Sequence, residues 1–152
     1  MWGSLIAVLG TLAGAVVAGI VQQRAARTER AEARYQERQR DQVQAVTGLV
    51  TALADHRRAM WTREQLRLAG ADPDGGAYTE AKTASHATRA AVTPPLVTLS
   101  VLAPALAEPA TSAVRAVYSL RAAADLSALG AARAAAVAAA ERLVAAAGRE
   151  LG

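Results

Sequence analysis

Two histidines are the residues best equipped for chemistry. "ADHRRAMW" (Ala54 to Trp61) carries His56 beside Asp55, and "SHATR" (Ser85 to Arg89) carries His86. Imidazoles with a carboxylate can hold a divalent metal or relay a proton. The spacing favours neither. A helical zinc motif needs two histidines four residues apart, and no such pair exists here. A helical hairpin closing near residues 70–76 would instead bring the two segments side by side. The simpler reading is a polar network of Asp55, His56, Arg58, His86 and Arg89 that fixes the register of that hairpin. Met60 and Trp61 are then core or interface anchors.

Other chemistry is sparse. "DPDGG" (Asp72 to Gly76) has a trace of a calcium loop, but lacks the remaining oxygen ligands and the terminal Glu. It reads as a turn. There is no P-loop, no GxGxxG and no GxSxG. Cysteine is absent, which excludes disulfides, thiolate metal sites and a Cys-anchored lipoprotein. No catalytic residue, metal ligand or cofactor site is expected, and the chain reads as a non-enzyme.

Arginine is the remaining chemical group of note. Of 17 basic residues only Lys82 is lysine. Arg24, Arg27, Arg30, Arg34 and Arg38 fall within about 120° of one helical face. Such a strip can meet anionic headgroups or nucleic-acid phosphates. Gln22 to Gln42 holds six Arg against four acids, so its net charge is only +2. A lipid surface suits the arginines nearest an anchor. A purely solvated stalk face is the plain alternative, and nucleic acid the less favoured one.

The elements that must position these residues are helical. The chain is 53% hydrophobic, but only 3% aromatic, and it has no Phe. Ala, Val and Leu supply the apolar mass, which suits closely packed helices. Gln22 to Leu68 lacks Pro, and Val43, Val46, Val50, Leu53 and Met60, with Arg57, make its expected inward seam. "GADPDGG" ends that helix. A second helix is expected over 78–91, stopped by Pro94 and Pro95, with Thr93 as a cap for the next segment. Leu96 to Ala103 is read as helix, because Val92, Leu96, Leu99, Ala103 and Leu106 share a helical face. A third helix should start at Pro104 or Pro109 and run to Ala124, with Ala113, Val117, Leu120 and Ala124 inward. "DLSALG" supplies a break or cap. The last helix then places Leu129, Ala136, Val137, Ala140, Val144 and Ala147 on one side.

The opening segment sets location. Trp2 to Val21 is a 20-residue uncharged run with nine Leu, Ile or Val residues. A helix of that length spans roughly 30 Å, a hydrocarbon core. Its aliphatic residues favour insertion by roughly 3 to 5 kcal/mol before the cost of Gly, Ser and Thr. No basic residue precedes the run, whereas Arg24, Arg27 and Arg30 come directly after it. The expectation is a retained single-pass anchor in a bacterial plasma membrane, with the C-terminal portion cytoplasmic. Gly3, Ala7, Gly10, Gly14 and Ala18 form a small-residue stripe containing a GxxxG pair, a candidate helix–helix contact in lipid.

The expected fold class is all-α. An N-terminal transmembrane helix continues into a long helical stalk, packed with about three further antiparallel helices. The expected divisions are an anchor at 1–22, a membrane-proximal helix at 23–69, a turn at 70–77 and a bundle segment at 78–152.

The order of segments also carries a resemblance. A glycine-rich anchor runs into "QQRAAR", then "TALADHRRAMWTREQLRLAG", then "SHATRAAVTPPLVTLSVLAP". This resembles the small membrane proteins of actinomycete conjugative plasmids and integrated elements, the KilB-like plasmid-spread proteins. The resemblance covers Leu5 to about Ala147. It implies a role in spread of a conjugative element, at the membrane and beside a DNA-translocating motor. It assigns no catalytic residue. The expected partners are membrane lipids, further copies of the chain and conjugation or DNA-translocation proteins. The expected function is a bitopic interaction or scaffold protein. The alternative is a membrane-tethered, non-specific nucleic-acid binder.

Overall fold

A computed structural model of the chain describes the backbone of residues 2–152 and the side chains from Glu29 onward. Four α-helices and one short 3-10 turn make up the described residues, with no strand among them. They are α1 (Trp2–Leu68), α2 (Gly76–Leu102), the 3-10 turn Pro104–Leu106, α3 (Ala107–Tyr118) and α4 (Leu126–Leu151). The chain divides into two compact units, Met1–Gln39 and Arg40–Gly152. In the first, the side chains from Glu29 to Arg38 are exposed.

The second unit holds the core. α1 and α2 pair as an antiparallel hairpin. Gln42 Nε2 donates to Leu102 O at 2.6 Å, His56 meets Thr88 at 3.0 Å and Arg63 meets Ser85 at 3.3 Å. Partners on α2 step backward as those on α1 step forward, which defines the antiparallel register. Chemistry in the turn reflects its sequence. Gly70 takes a positive φ of 75°, where a Cβ is disfavoured. Gly70 N donates to Arg67 O and Ala71 N to Leu66 O, the paired bonds of a Schellman stop. Asp72 Oδ1 then accepts from Asp74 N at 3.0 Å, so this carboxylate serves the turn.

α3 packs chiefly on α4 and, with the 3-10 turn, against α2. Asp125 caps α4 by accepting from Ala128 N at 2.7 Å. Leu49, Leu53, Leu99, Leu106, Leu120, Leu129 and Leu143 are the leucines fully enclosed by these helices. Each enclosed leucine contributes about 1.5 to 3 kcal/mol relative to an exposed one.

The structure corrects several expectations. α2 does not stop before Pro94 and Pro95; both lie inside it, and Thr93 caps nothing. The rings remove two backbone donors, and the carbonyls left without them belong to Ala90 and Ala91, both exposed residues. Pro95 lies beside Gly48 of α1, and Val92 and Leu99 are buried on the same helix. Tertiary packing therefore holds what local propensity would break. Leu96 to Leu102 is helical. α3 ends at Tyr118, not Ala124, and Ala124 is exposed.

Two apolar faces are also rotated. On α1, Val46, Leu53 and Met60 are enclosed as expected, but Val43 is 50% exposed, Val50 and Arg57 are only partly buried, and Ala45, Leu49, Ala52, His56 and Glu64 join the enclosed face. On α4, Val144 is 50% exposed while Leu143 is fully buried; Ala136, Ala139 and Ala147 join it. Val137 and Ala140 are only partly buried.

Among the described residues no helix is long and apolar enough to cross a membrane. The expected anchor at 1–22 lies outside those searched, as do the side chains of the small-residue stripe Gly3, Ala7, Gly10, Gly14 and Ala18, and those of Arg24 and Arg27.

Candidate functional site

The hairpin polar cluster exists, with different partnerships from those expected. His56 sits on the inner face of α1 because the seam steps through Leu49, Leu53, His56 and Met60 at three and four. It is 3% exposed. Thr88 Oγ1 donates to Ala84 O at 2.9 Å, so it accepts from His56 Nδ1–H at 3.0 Å. With the hydroxyl donating to Ala84 O, that contact places a proton on His56 Nδ1. The ring stands edge-on to Tyr118, with centroids 5.4 Å apart and planes at 90°. Burial, with the nearby Arg89 guanidinium second, pushes the His56 imidazole down to about 4. It is neutral at physiological pH.

The other expected members separate. Asp55 and Arg58 pair with each other along the outside of α1 and do not join His56. His86 is exposed and makes no bond to His56. Arg89 places its guanidinium carbon 4.8 Å from the Tyr118 ring centroid. The network that fixes register is therefore His56, Thr88, Tyr118 and Arg89. No group of His, Asp and Glu suited to a metal occurs among the described residues.

A cavity of about 480 Å³ opens beside this network. His56, Met60, Ser85 and Tyr118 line it, and its charged members are all basic. Lys82, His86 and Arg89 are spaced by four and three, which puts them on one face of α2. Arg63 enters from α1 and Arg121 from the α3–α4 connection. Ser85 is buried and donates to Lys82 O at 2.7 Å, leaving its oxygen to accept from Arg63 NH1 at 3.3 Å. Arg63 Nε is buried without a hydrogen-bond partner.

A second polar knot ties the α3–α4 connection to α1. Glu64 is 1% exposed, accepts from Arg67 Nε at 2.7 Å and from Ala122 N at 3.1 Å. Arg67 also donates to Ala123 O. Ala122 takes the left-handed φ of 61°, and the Glu64 carboxylate holds its amide. Sequence reasoning missed Glu64, Arg63 and Arg121. The interval from His56 through Met60 to Glu64 is the one signal that pointed to Glu64.

Comparison with known proteins now decides the family. The model of the KilB plasmid transfer protein family matches residues 43–151. The chain is also 60% identical over 150 residues to Protein KilB of Streptomyces lividans, covering 98% of this chain and 97% of that protein. The chain belongs to the KilB plasmid transfer protein family. No solved structure matches it significantly. The KilB match begins at Val43 and takes in α2, α3 and all of α4, so the hairpin network and the basic cavity both lie within it. The resemblance read from "TALADHRRAMWTREQLRLAG" and "SHATRAAVTPPLVTLSVLAP" is thereby established.

Proposed function

We propose that this KilB-family chain is a membrane-anchored helical interaction protein that assists the conjugative spread of a plasmid or integrated element. The observation that carries the reading is a conjunction within one chain. A plasmid-transfer module lies downstream of a 20-residue uncharged run, with Arg24, Arg27 and Arg30 directly after that run. In this reading the chain spans the plasma membrane once, with its helical module in the cytoplasm. It acts by binding, on its own copies and on proteins of the DNA-translocation machinery, without catalysis. The Gly10/Gly14 stripe serves self-association in lipid, and Arg24, Arg27 and Arg30 meet anionic headgroups.

The test places a topology reporter at each end of the chain, combined with crosslinking in native membranes. The expected result is a cytoplasmic C-terminus, an external N-terminus and crosslinked oligomers lost on Gly10→Ile with Gly14→Ile. A soluble, strictly monomeric chain that still supports plasmid spread ends the proposal. The exposure of Arg30, Arg34 and Arg38 supports the second reading, a tethered nucleic-acid binder. Salt-sensitive DNA retention weakened by Arg34→Ala and Arg38→Ala would favour it.

A further inference from the structure

The basic cavity is more than a crowded surface. Three separate segments bring Arg63, Lys82, His86, Arg89 and Arg121 to one concavity that no carboxylate lines. The ion pairs among the described residues are Asp55–Arg58, Glu64–Arg67 and Glu108–Arg115, and none includes a cavity cation. Scattered surface arginines face bulk water, where repulsion is screened. Here two guanidinium groups are held in place instead. Arg63 is aligned by the buried Ser85 hydroxyl, while its own buried Nε stays without a partner. Arg89 is held over the Tyr118 ring.

The donors dictate the acceptor chemistry. Converging guanidinium groups match tetrahedral or planar oxyanions by paired hydrogen bonds, and an ammonium adds a point charge. Several unneutralised cations suit a dianion better than a single carboxylate. The volume lies within the range of small-molecule pockets, about 300 to 1,000 Å³, and Met60 and Tyr118 give it an apolar wall. We propose that this cavity binds the phosphate group of a small organic phosphate, with Arg63, Lys82, Arg89 and Arg121 as its ligands. The site stands independently of the membrane reading. A soluble phosphate ester and a phospholipid headgroup share this chemistry, and the test separates them.

The test is calorimetric titration of the full chain in non-ionic detergent, at constant ionic strength set with potassium chloride. Inorganic phosphate, pyrophosphate, ADP and glycerol 3-phosphate are the probes. Saturable one-to-one binding is expected. Arg121→Gln and Lys82→Gln, both at exposed positions, should each weaken it about tenfold, the loss of one charge-assisted hydrogen bond. Arg63→Gln should do the same where circular dichroism shows it folded. Arg142→Gln, on α4 away from the cavity, should leave affinity unchanged. Preference for ADP or pyrophosphate assigns a soluble phosphate. Competition by phosphatidylglycerol vesicles, together with glycerol 3-phosphate, assigns a headgroup. The proposal is overturned if no probe binds saturably at millimolar concentration, or if Arg142→Gln weakens binding as much as Arg121→Gln. It is equally overturned if a short DNA duplex binds through these residues and small phosphates do not displace it.

Discussion

His56 should make the stability of the helical module depend on pH in a defined window. Its imidazole is pushed from 6.5 down to about 4 by burial and by Arg89. In the unfolded chain it takes a proton near 6.5; in the folded chain it takes one only near 4. Between those values the unfolded state binds more protons, so stability falls as pH is lowered. It is fully present above 6.5, and the loss is complete once pH passes below about 4. Inside the window the slope is about 1.4 kcal/mol per pH unit, which gives about 2 kcal/mol between pH 6.5 and 5 and about 3 kcal/mol in all. Urea unfolding of the full chain at several pH values, followed by far-UV circular dichroism, measures this. His56→Gln should flatten the profile above pH 5 by the full slope, since carboxylates contribute little there. The titration of the imidazole, followed by NMR, should centre near 4. Parallel profiles for the two proteins, or a midpoint near 6.5, would refute the account.

Two further substitutions test the packing. Glu64→Ala leaves the Ala122 amide and the Arg67 guanidinium without their shared carboxylate. It should destabilise by roughly 3 kcal/mol, the low end for a broken buried pair because Arg67 is partly in solvent; chemical denaturation reads the change, and a loss below about 1 kcal/mol would show that the knot is dispensable. Gly48→Ala should stabilise by about 0.5 to 1 kcal/mol through helix propensity. The new Cβ would sit 3.6 Å from Pro95 Cβ, an ordinary contact, so a lowered melting temperature would mean that α1 and α2 pack more tightly there than this spacing.

The all-α class, the hairpin, the 70–76 turn and a break or cap at "DLSALG" were legible because each rests on local chemistry that the structure uses unchanged. Gly70 and Asp72 form the turn, and Asp125 accepts from the Ala128 amide in the first turn of α4. Pro94 and Pro95 misled because the rule for proline weighs the backbone alone, while α2 is held through them by Val92 and Leu99. The α4 face misled for a different reason. In "AAAVAAAERLVAAA" every side offers apolar surface, so alanine cannot choose a register. The adjacent pair Leu143 and Val144 decides it, and the larger side chain goes inside. The rejected valines remain near the surface. Val50, Val137 and Val144 line a shallow groove between α1 and α4 together with Arg57 and Glu141. The basic cavity was half legible. Lys82, His86 and Arg89 share a face by spacing, but Arg63 and Arg121 reach it only through the fold.

The same polar layer explains both how the hairpin finds its register and why a cavity forms there. Aliphatic residues fill the hairpin from Ala45 to Leu53 on α1 and from Val92 to Leu99 on α2. Such surfaces are nearly interchangeable by one turn, particularly where alanine dominates. Below them the character changes within two turns: His56, Arg63 and Glu64 on α1 face Ser85, Thr88 and Ala122. A slip of one turn would bury an imidazole and a carboxylate without partners, each at a penalty of about 1 to 3 kcal/mol or more. Polar contacts therefore select the register that apolar packing leaves open. They also limit how closely the helices meet, because Arg63 and Arg89 must keep their charged ends near water. The gap left at this layer is the basic cavity. Its position is set by the register lock, and its charge by the long cations that the lock cannot neutralise.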